Sequence, residues 1–212
     1  MNTPIFISFY TPQGNYPNLA KKLKASLEKF ELEHEIIQRE QFKSWGDGVG
    51  FKPRFMLDRL LTYRRPIVWL DIDTEVWKFP ELLFGEHDFA IYNWQADKNH
   101  HLAGRIPYDP ASKTATISGG VQKYGYTAPA IEILVRWISV INSTDHSKGT
   151  DPLLDKVLNT FKPPVNPLWL PKTYNRMDNL SRHWREVPVE NVVINHDYTS
   201  GKGGRHRDVS EN

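Results

Sequence analysis

The segment Ile67–Asp73 reads IVWLDID, an apolar run that ends in two aspartates one residue apart. The run predicts a β-strand, and side chains alternate between the faces of a strand, so Asp71 and Asp73 are expected to point the same way at its carboxyl end. Two hard oxygen ligands on one face, with no third ligand nearby in the sequence, suit a divalent cation shared with a substrate phosphate. This segment is therefore the predicted chemical centre of the chain.

The residues before this segment predict a β-α-β opening. Ile5–Tyr10 is a β-rich run, and residues 16–30 carry leucines at helical spacing. Residues 34–38 predict a second strand, and this order favours an α/β fold with a parallel core. A glycine-rich loop is expected at residues 45–50, followed by a helix at residues 55–61 that is entered through a proline near its first turn.

The residues after the segment predict further helices and strands within one domain. Residues 95–115 are polar and irregular, with room for a hairpin that ends at residues 114–117, and Gly119 and Gly120 predict a turn. We find no repeat or linker, which predicts one domain over residues 1–202 followed by a flexible charged tail at residues 203–212. The other predicted elements are a helical turn at 80–83, strands at 88–94, 168–170 and 192–194, and helices at 127–141, with Thr127 as N-cap, and 152–160.

Composition and charge describe a folded globular protein with a slight positive balance. The chain has 212 residues, no cysteine, a net charge of +2 and 12% aromatic residues. Its length fits one domain with a substantial core, and its aromatic content argues against disorder. Positive charge is concentrated in residues 172–207, where it favours an anionic ligand. Without a membrane-length apolar run, a signal-peptide pattern or cysteines, the sequence predicts a cytoplasmic protein, of a bacterium or an infected host cell, that has no membrane anchor. The oligomeric state is left open.

Together these segments resemble the GT-A nucleotide-diphospho-sugar transferases over residues 5–202. The β-α unit at the amino terminus resembles their nucleotide-binding half, and Leu70–Asp73 (LDID) resembles their DxD motif. Ser118–Val121 (SGGV) is similar to the small-residue turn beneath the donor sugar, and Thr150–Leu154 (TDPLL) to the acidic helix start near the reaction centre. Asn195–Lys202 (NHDYTSGK) resembles the late histidine segment. The resemblance implies a single Rossmann-like α/β domain with a mostly parallel central sheet flanked by helices.

The resemblance also implies an activity and a set of site residues. The activity is transfer of a hexosyl or pentosyl group from a nucleotide-diphosphate sugar, a UDP-sugar in particular, to a hydroxyl acceptor, with Mn²⁺ or Mg²⁺ as cofactor. The expected ligands of the cation are Asp71, Asp73 and His196, and Asp151 is the candidate catalytic residue. Lys202 is expected to close over the phosphates. The expected donor contacts are Phe9, Tyr10, Thr11, Lys52, Asp71, Ile72, Gly119, Gly120 and Lys202.

These residues also have purely structural interpretations. Aspartates at a strand end often cap the next helix or stay solvated, and a lone histidine is more often hydrogen-bonded than metal-bound. Asp151 also fits a helix N-cap, and Lys52 also fits a solvated helix start. The stereochemical outcome stays open as well. A base role for Asp151 predicts inversion, whereas a DxD motif with a late histidine is similar to the site of the retaining transferases.

Rival functions and two acceptor classes stay open. A haloacid-dehalogenase-type phosphatase also has two aspartates one residue apart, in a motif that resembles Asp-x-Asp-x-Thr. Here Glu75 occupies the position of that threonine. A β-α unit and a further strand also precede the two aspartates, whereas the phosphatase motif normally opens its domain. A non-catalytic module that binds a nucleotide or nucleic acid is the second rival. For the acceptor, small proteins of this type resemble phage enzymes that glycosylate hydroxymethylated DNA bases, where Trp45 or Trp94 would stack on the flipped base or fill its gap. A saccharide or lipid-linked glycan is the alternative acceptor.

Overall fold

The computed structural model describes residues 3–94, 115–144, 149–176 and 187–196, and eight strands and four α-helices lie in them. Most of the hairpin predicted to end at residues 114–117 lies outside the described residues, and so does the charged tail. The strands are β1 (Ile5–Tyr10), β2 (His34–Gln38), β3 (Ile67–Leu70), β4 (Thr74–Val76), β5 (Phe89–Asn93), β6 (Ile117–Tyr124), β7 (Pro167–Trp169) and β8 (Ile194–His196). The α-helices are α1 (Tyr16–Glu28), α2 (Trp45–Tyr63), α3 (Ala128–Ser143) and α4 (Asp151–Thr160).

Six of the described strands form one sheet in the order β2-β1-β3-β6-β5-β7. β1 pairs in parallel with β2 and β3, and β5 pairs in parallel with β7. β6 runs antiparallel to both of its neighbours, β3 and β5. Five of these six strands therefore share one direction, which confirms the predicted mostly parallel sheet of an α/β domain.

Helices cover both faces of this sheet, and the alternation of strand side chains gives each face its own core. Ile67 and Trp69 of β3 pack in a cluster with residues of α2, α3 and α4. Val68 and Leu70 point the other way and pack in a cluster with residues of α1. All four residues of β3 are buried, which explains why this strand reads as a continuous apolar run. The predicted flanking of the sheet by helices is confirmed.

Local sequence signals located several elements correctly. β1 and β2 have the predicted bounds, and α1 begins at the predicted Tyr16. α3 begins after Thr127, whose hydroxyl accepts a hydrogen bond from the Ala130 N–H at 3.4 Å, as expected of an N-cap. None of the described helices is long and apolar enough to cross a membrane. The division into a domain at residues 1–202 and a tail stays a prediction.

The glycine-rich loop predicted at residues 45–50 is wrong, because these residues form the first turns of α2. The helix begins after Ser44, whose hydroxyl accepts a hydrogen bond from the Asp47 N–H at 3.1 Å. Pro53 therefore lies inside the helix rather than near its first turn, where it removes one backbone hydrogen bond. Glycine and proline usually mark helix boundaries, but packing against the core outweighs that local preference here.

Two further predictions are corrected near the site. Gly119 and Gly120 do not form a turn but lie inside β6, where its register with β5 shifts and produces a bulge. The strand predicted at residues 192–194 is found at Ile194–His196, because this part of the chain pairs antiparallel with β4 and places His196 opposite Thr74. His196 therefore lies within a strand instead of following one.

Candidate active site

A tight turn after β3 carries the two aspartates. The Asp71 N–H donates to the Gly120 carbonyl of β6 at 2.8 Å, just beyond the end of β3. The hydroxyl and the N–H of Thr74 then both donate to the Asp71 carbonyl, at 2.7 and 3.0 Å. The turn, rather than the alternation of a continuing strand, therefore sets the directions of Asp71 and Asp73.

β8 brings His196 beside the aspartates. Its Nε2 atom lies 3.1 Å from Oδ1 of Asp73 and 3.9 Å from Oδ2 of Asp71. Each of the three residues offers a ligand atom, and these atoms lie within 4.8 Å of one another. Carboxylates suit Mg²⁺ and Mn²⁺, and an imidazole suits transition metals, so the residues present fit a divalent cation. The three predicted metal ligands thus form a candidate metal site.

A lysine and an indole hold Asp71 from its other side. The Lys52 ammonium and the Trp69 indole N–H both donate to Oδ1 of Asp71, at 2.7 and 2.6 Å. Lys52 also donates to the Gly119 carbonyl at 3.2 Å and is 7% exposed, so it is not a solvated helix start. A buried ammonium needs such partners. With Oδ1 held in this way, Oδ2 of Asp71 is the oxygen that lies closer to His196.

The two aspartates alter the titration of their neighbours. Burial alone would lower the pKa of His196, but the charges of Asp73 and Asp71 and the hydrogen bond to Asp73 outweigh burial and raise it. Burial and the same two charges also raise the pKa of Tyr16, at the start of α1. A cation at this site would compete with a proton for the imidazole.

The glycine pair in β6 leaves room for two of the predicted site residues. A Cβ atom added at Gly119 would lie 2.4 Å from Oδ1 of Asp151, and one at Gly120 would lie 2.5 Å from the His196 ring. Neither glycine has a left-handed backbone, since the described glycines with positive φ are Gly14 and Gly149. Space, and not backbone conformation, therefore requires glycine at these two positions.

Asp151 is the first residue of α4, and its carboxylate contacts β6. Oδ2 of Asp151 accepts a hydrogen bond from the Gly119 N–H at 2.9 Å, while Thr150 occupies the N-cap position. Burial raises the pKa of Asp151, although the charge of Lys52 and the bond from Gly119 oppose the rise. A carboxyl group with a raised pKa next to a metal site is a reasonable candidate for acid or base chemistry.

Two more polar residues of α4 contact β6 and the residues just before it. Asp155 accepts a hydrogen bond from the Ile117 N–H at 2.7 Å. Asn159 accepts one from the Ala115 N–H at 2.5 Å and donates to the Ala115 carbonyl at 2.9 Å. Asp151, Asp155 and Asn159 are four positions apart and share one helix face, while their partners alternate along the strand and share one edge. Side chains of α4 therefore form hydrogen bonds with backbone groups of residues 115, 117 and 119, and these bonds hold α4 beside the glycine pair.

Replacing Asp155 with asparagine is expected to remove a pH dependence of stability. Burial, together with the charge of Asp151, raises the pKa of Asp155 to about 7, although the bond from Ile117 opposes the rise. The unfolded pKa is about 4, so between these values the folded protein holds a proton that the unfolded chain has lost, and the free energy of unfolding falls as pH rises. The asparagine would keep the acceptor for Ile117 without titrating, so the variant should gain about 1 kcal/mol over the native chain by pH ~8, after allowance for partial exposure.

Thermal unfolding of both proteins across this pH range measures the gain, which corresponds to about 2–4 °C. Asp58→Asn, on the exposed surface of α2, is the matched control and should show no such widening difference. A stability difference between Asp155→Asn and the native chain that stays constant with pH would contradict the expected titration of Asp155.

A cavity with an aromatic wall lies beside the aspartates, at the carboxyl ends of β1 and β3. The Phe9 ring is the centre of this wall, and the rings of Phe42 and Trp69, which also line the cavity, lie 5.9 and 5.2 Å from it. Aromatic faces next to a lysine and a candidate metal site suit a planar base that is linked to phosphate. Of the predicted donor, acceptor and metal contacts, those that line the cavity are Phe9, Tyr10, Thr11, Trp45, Lys52, Asp71, Ile72 and Asp73.

The other predicted contacts have different surroundings. Trp45 starts α2, lines this cavity and lies against Gly149, where an added Cβ atom would be 3.4 Å from its ring. The Trp94 indole donates to the Ile117 carbonyl at 3.2 Å, and Trp94 is not among the described residues that line the cavity. Lys202 lies outside the described residues. The acceptor contacts of both tryptophans and the phosphate contact of Lys202 stay predictions.

Sequence reasoning missed three residues that hold the site together. Trp69 precedes Asp71 by two positions, and this spacing was a signal that the two side chains could meet. Asp155 and Asn159 follow Asp151 at successive helical turns, which was a signal for a shared contact. The spacing on α4 shows a shared helix face, but only the structure identifies β6 and the residues just before it as the segment that this face contacts.

The chain aligns over nearly its whole length with solved structures of other proteins. One is a glycosyltransferase involved in the glycosylation of the major capsid of PBCV-1, with a TM-score of 0.64, 15% sequence identity and 96% of each chain covered. The chain has a glycosyltransferase fold. A second structure with this fold is mouse xyloside xylosyltransferase 1 in its apo form, with a TM-score of 0.54, 13% identity, and 95% of this chain and 99% of that chain covered.

The glycosyltransferase fold confirms the fold that the GT-A resemblance implied. At sequence identities of 15% and 13%, the similarity to these structures establishes the fold alone. No protein-family description and no curated protein sequence matches this chain. The activity therefore has to be argued from the site itself.

Proposed function

We propose that this chain is a metal-dependent glycosyltransferase that moves a sugar from a nucleotide-diphosphate sugar, a UDP-sugar in particular, to a hydroxyl acceptor. The observation that carries the proposal is the meeting of Asp71, Asp73 and His196 beside a cavity with an aromatic wall. The glycosyltransferase fold supports the same function. A phosphatase or a pure binding module explains this combination less well.

In this proposal the chain binds the two halves of the donor with different groups. The aromatic wall around Phe9 would contact the base, and Asp71, Asp73 and His196 would hold Mn²⁺ or Mg²⁺. When bound, such a cation neutralises charge on the leaving diphosphate. Lys52 adds a fixed positive charge and keeps Asp71 oriented, so that little reorganisation is needed during the reaction.

Asp151 is the proposed catalytic residue, because its carboxyl group lies against Gly119, next to the glycine that contacts His196, and is close enough to Lys52, Asp71 and His196 for their charges to shift its pKa. As a base it would take the proton of the acceptor hydroxyl, and the sugar would be transferred with inversion. If the product instead retains the configuration of the donor, the carboxylate of Asp151 orients the sugar through its hydroxyls. The anomeric configuration of the product decides between these two roles.

For the acceptor we propose a saccharide hydroxyl, with a hydroxymethylated DNA base as the alternative. One protein of this fold takes part in capsid glycosylation and the other is a xyloside xylosyltransferase. Trp45 is part of α2 and lies against Gly149, which makes it a poor wedge for a flipped base. Most of the basic residues that favoured DNA lie outside the described residues, so their contact with DNA stays a prediction. These residues are Arg182, Arg185, Lys202, Arg205 and Arg207.

Incubation with nucleotide sugars is expected to give metal-dependent transfer. UDP-glucose, UDP-galactose, UDP-xylose and UDP-N-acetylglucosamine would each be supplied with Mn²⁺ and either simple saccharides or hydroxymethylated DNA, and mass spectrometry would identify the product. Chelation of the metal should abolish product formation, and so should the double variant Asp71→Asn, Asp73→Asn. Phosphate release from a generic phosphoester without any nucleotide sugar would favour the phosphatase. Nucleotide binding without hydrolysis or transfer would favour the binding module.

A further inference from the structure

One buried side-chain amide lies near the site without a hydrogen-bond partner among the described residues. Asn175 is completely buried, and neither Oδ1 nor Nδ2 of its side chain has a hydrogen-bond partner among the described residues. Buried polar atoms are almost always paired, because an unpaired amide loses its bonds to water without replacement. A leucine has the same branched skeleton of four side-chain heavy atoms and would carry no such cost. The amide therefore calls for a functional explanation.

Asn175 lies against the candidate active site. The point at which a Cβ atom of Gly120 would stand is 3.5 Å from Oδ1 of Asn175 and 2.5 Å from the His196 ring. Asn175 and His196 thus flank the same glycine in the bulge of β6. His196 is itself only 3% exposed, so strong burial is a shared property of the groups in this part of the site.

The backbone around Asn175 is held rigidly, so the unpaired amide is not the result of a loose segment. The Asn175 N–H donates to the Lys172 carbonyl at 3.0 Å, closing a short 3-10 helix at Lys172–Tyr174. The Arg176 N–H donates to the Ile194 carbonyl at 3.2 Å, and the His196 N–H donates to the Arg176 carbonyl at 2.7 Å. Asn175 is therefore fixed beside β8, the strand that carries His196.

We propose that the Asn175 carboxamide binds hydroxyl groups of the sugar in the donor substrate, directly or through one ordered water. A carboxamide is neutral and offers both donors and an acceptor, and each sugar hydroxyl also offers both. A diphosphate offers acceptors alone and is usually bound by cations or charged side chains. Asn175 is therefore matched to the sugar and not to the diphosphate. This inference rests on the proposed function, because it assigns the sugar-binding part of that same site.

The variant Asn175→Leu separates sugar binding from nucleotide binding. Calorimetric titration in Mn²⁺ would compare UDP with UDP-glucose, UDP-galactose and UDP-xylose on the native chain and on the variant. The affinity for UDP should be unchanged, while the affinity for the preferred UDP-sugar should fall about tenfold. The melting temperature without nucleotide should stay the same or rise, since an unpaired buried amide is removed. Asn175→Ala provides the same comparison if the leucine variant does not fold.

Three outcomes would overturn the inference. A native chain that binds neither UDP nor any UDP-sugar removes the proposed function and this inference with it. A native chain that prefers a UDP-sugar to UDP, with the same preference retained in Asn175→Leu, removes the inference and leaves the proposed function intact. A lower melting temperature, with equal losses for UDP and UDP-sugars, would make Asn175 a structural residue that holds a buried water.

Discussion

Replacing Asp73 with asparagine is expected to lower the affinity for Mn²⁺, and with it the metal-dependent turnover, by about 100-fold or more. Oδ1 of Asp73 lies 3.1 Å from Nε2 of His196, so the substitution removes the negative charge that faces the imidazole in the candidate metal site. Groups that only orient metal ligands already contribute about 10–100-fold to metal affinity, so the loss of a ligand should cost at least as much. Titration of Mn²⁺ followed by electron paramagnetic resonance measures the affinity, and release of UDP from a UDP-sugar measures turnover.

Glu75→Gln is the matched control for this variant. Glu75 lies two positions further along the chain, in β4, and lines a separate groove against α1. The substitution therefore removes the same unit charge from the neighbourhood without touching the candidate ligands, and both measurements should stay at native values. Native Mn²⁺ affinity in Asp73→Asn would exclude Asp73 as a ligand. Equal losses in both variants would mean that the general negative field, rather than a ligand set, attracts the cation.

The amino-terminal part of the fold could be predicted because its signals are local. In α1 the apolar positions follow one another at helical spacing, and Leu19, Leu23 and Leu27 are all buried. In β3 a run of four apolar residues reflects burial on both faces of the sheet. Neither element depends on a distant partner for its type, so reading along the chain was sufficient.

The parts that failed depend on residues far apart in the sequence. α2 begins at Trp45 although it contains Pro53 and several glycines, because its packing on the sheet outweighs weak local propensity. The bond between Asp73 and His196 joins residues 123 positions apart, and that between Ala115 and Asn159 spans 44. Family resemblance supplied His196, but no pattern in the sequence connected α4 with the edge of β6. Gly119 and Gly120 were predicted to form a turn, but they lie inside β6, where the absence of side chains leaves room for Asp151 and His196.

Replacing Gly120 with alanine is expected to lower the affinity for Mn²⁺ by about 100-fold and the free energy of unfolding by about 1–3 kcal/mol. The new Cβ atom would lie 2.5 Å from Cε1 and Nδ1 of the His196 ring, which is far inside van der Waals contact. The His196 side chain is only 4% exposed, so the ring cannot swing out into solvent to avoid the new methyl group. The ring or β6 has to shift instead, and the expected result is a longer distance between His196 and Asp73. The measurements are the Mn²⁺ titration and thermal unfolding.

Two neighbouring glycines make this result interpretable. Gly125→Ala places a Cβ atom 2.8 Å from the His87 carbonyl, so it should destabilise the fold comparably but spare the candidate metal site, because Gly125 lies just after β6, five positions from Gly120. Gly119→Ala places its Cβ atom 2.4 Å from Asp151 and should impair turnover while Mn²⁺ affinity persists. If all three variants lost Mn²⁺ affinity in proportion to stability, β6 would act through the fold alone. If only Gly120→Ala lost Mn²⁺ affinity, the absence of a side chain at residue 120 would be what allows His196 to take the position needed for the cation.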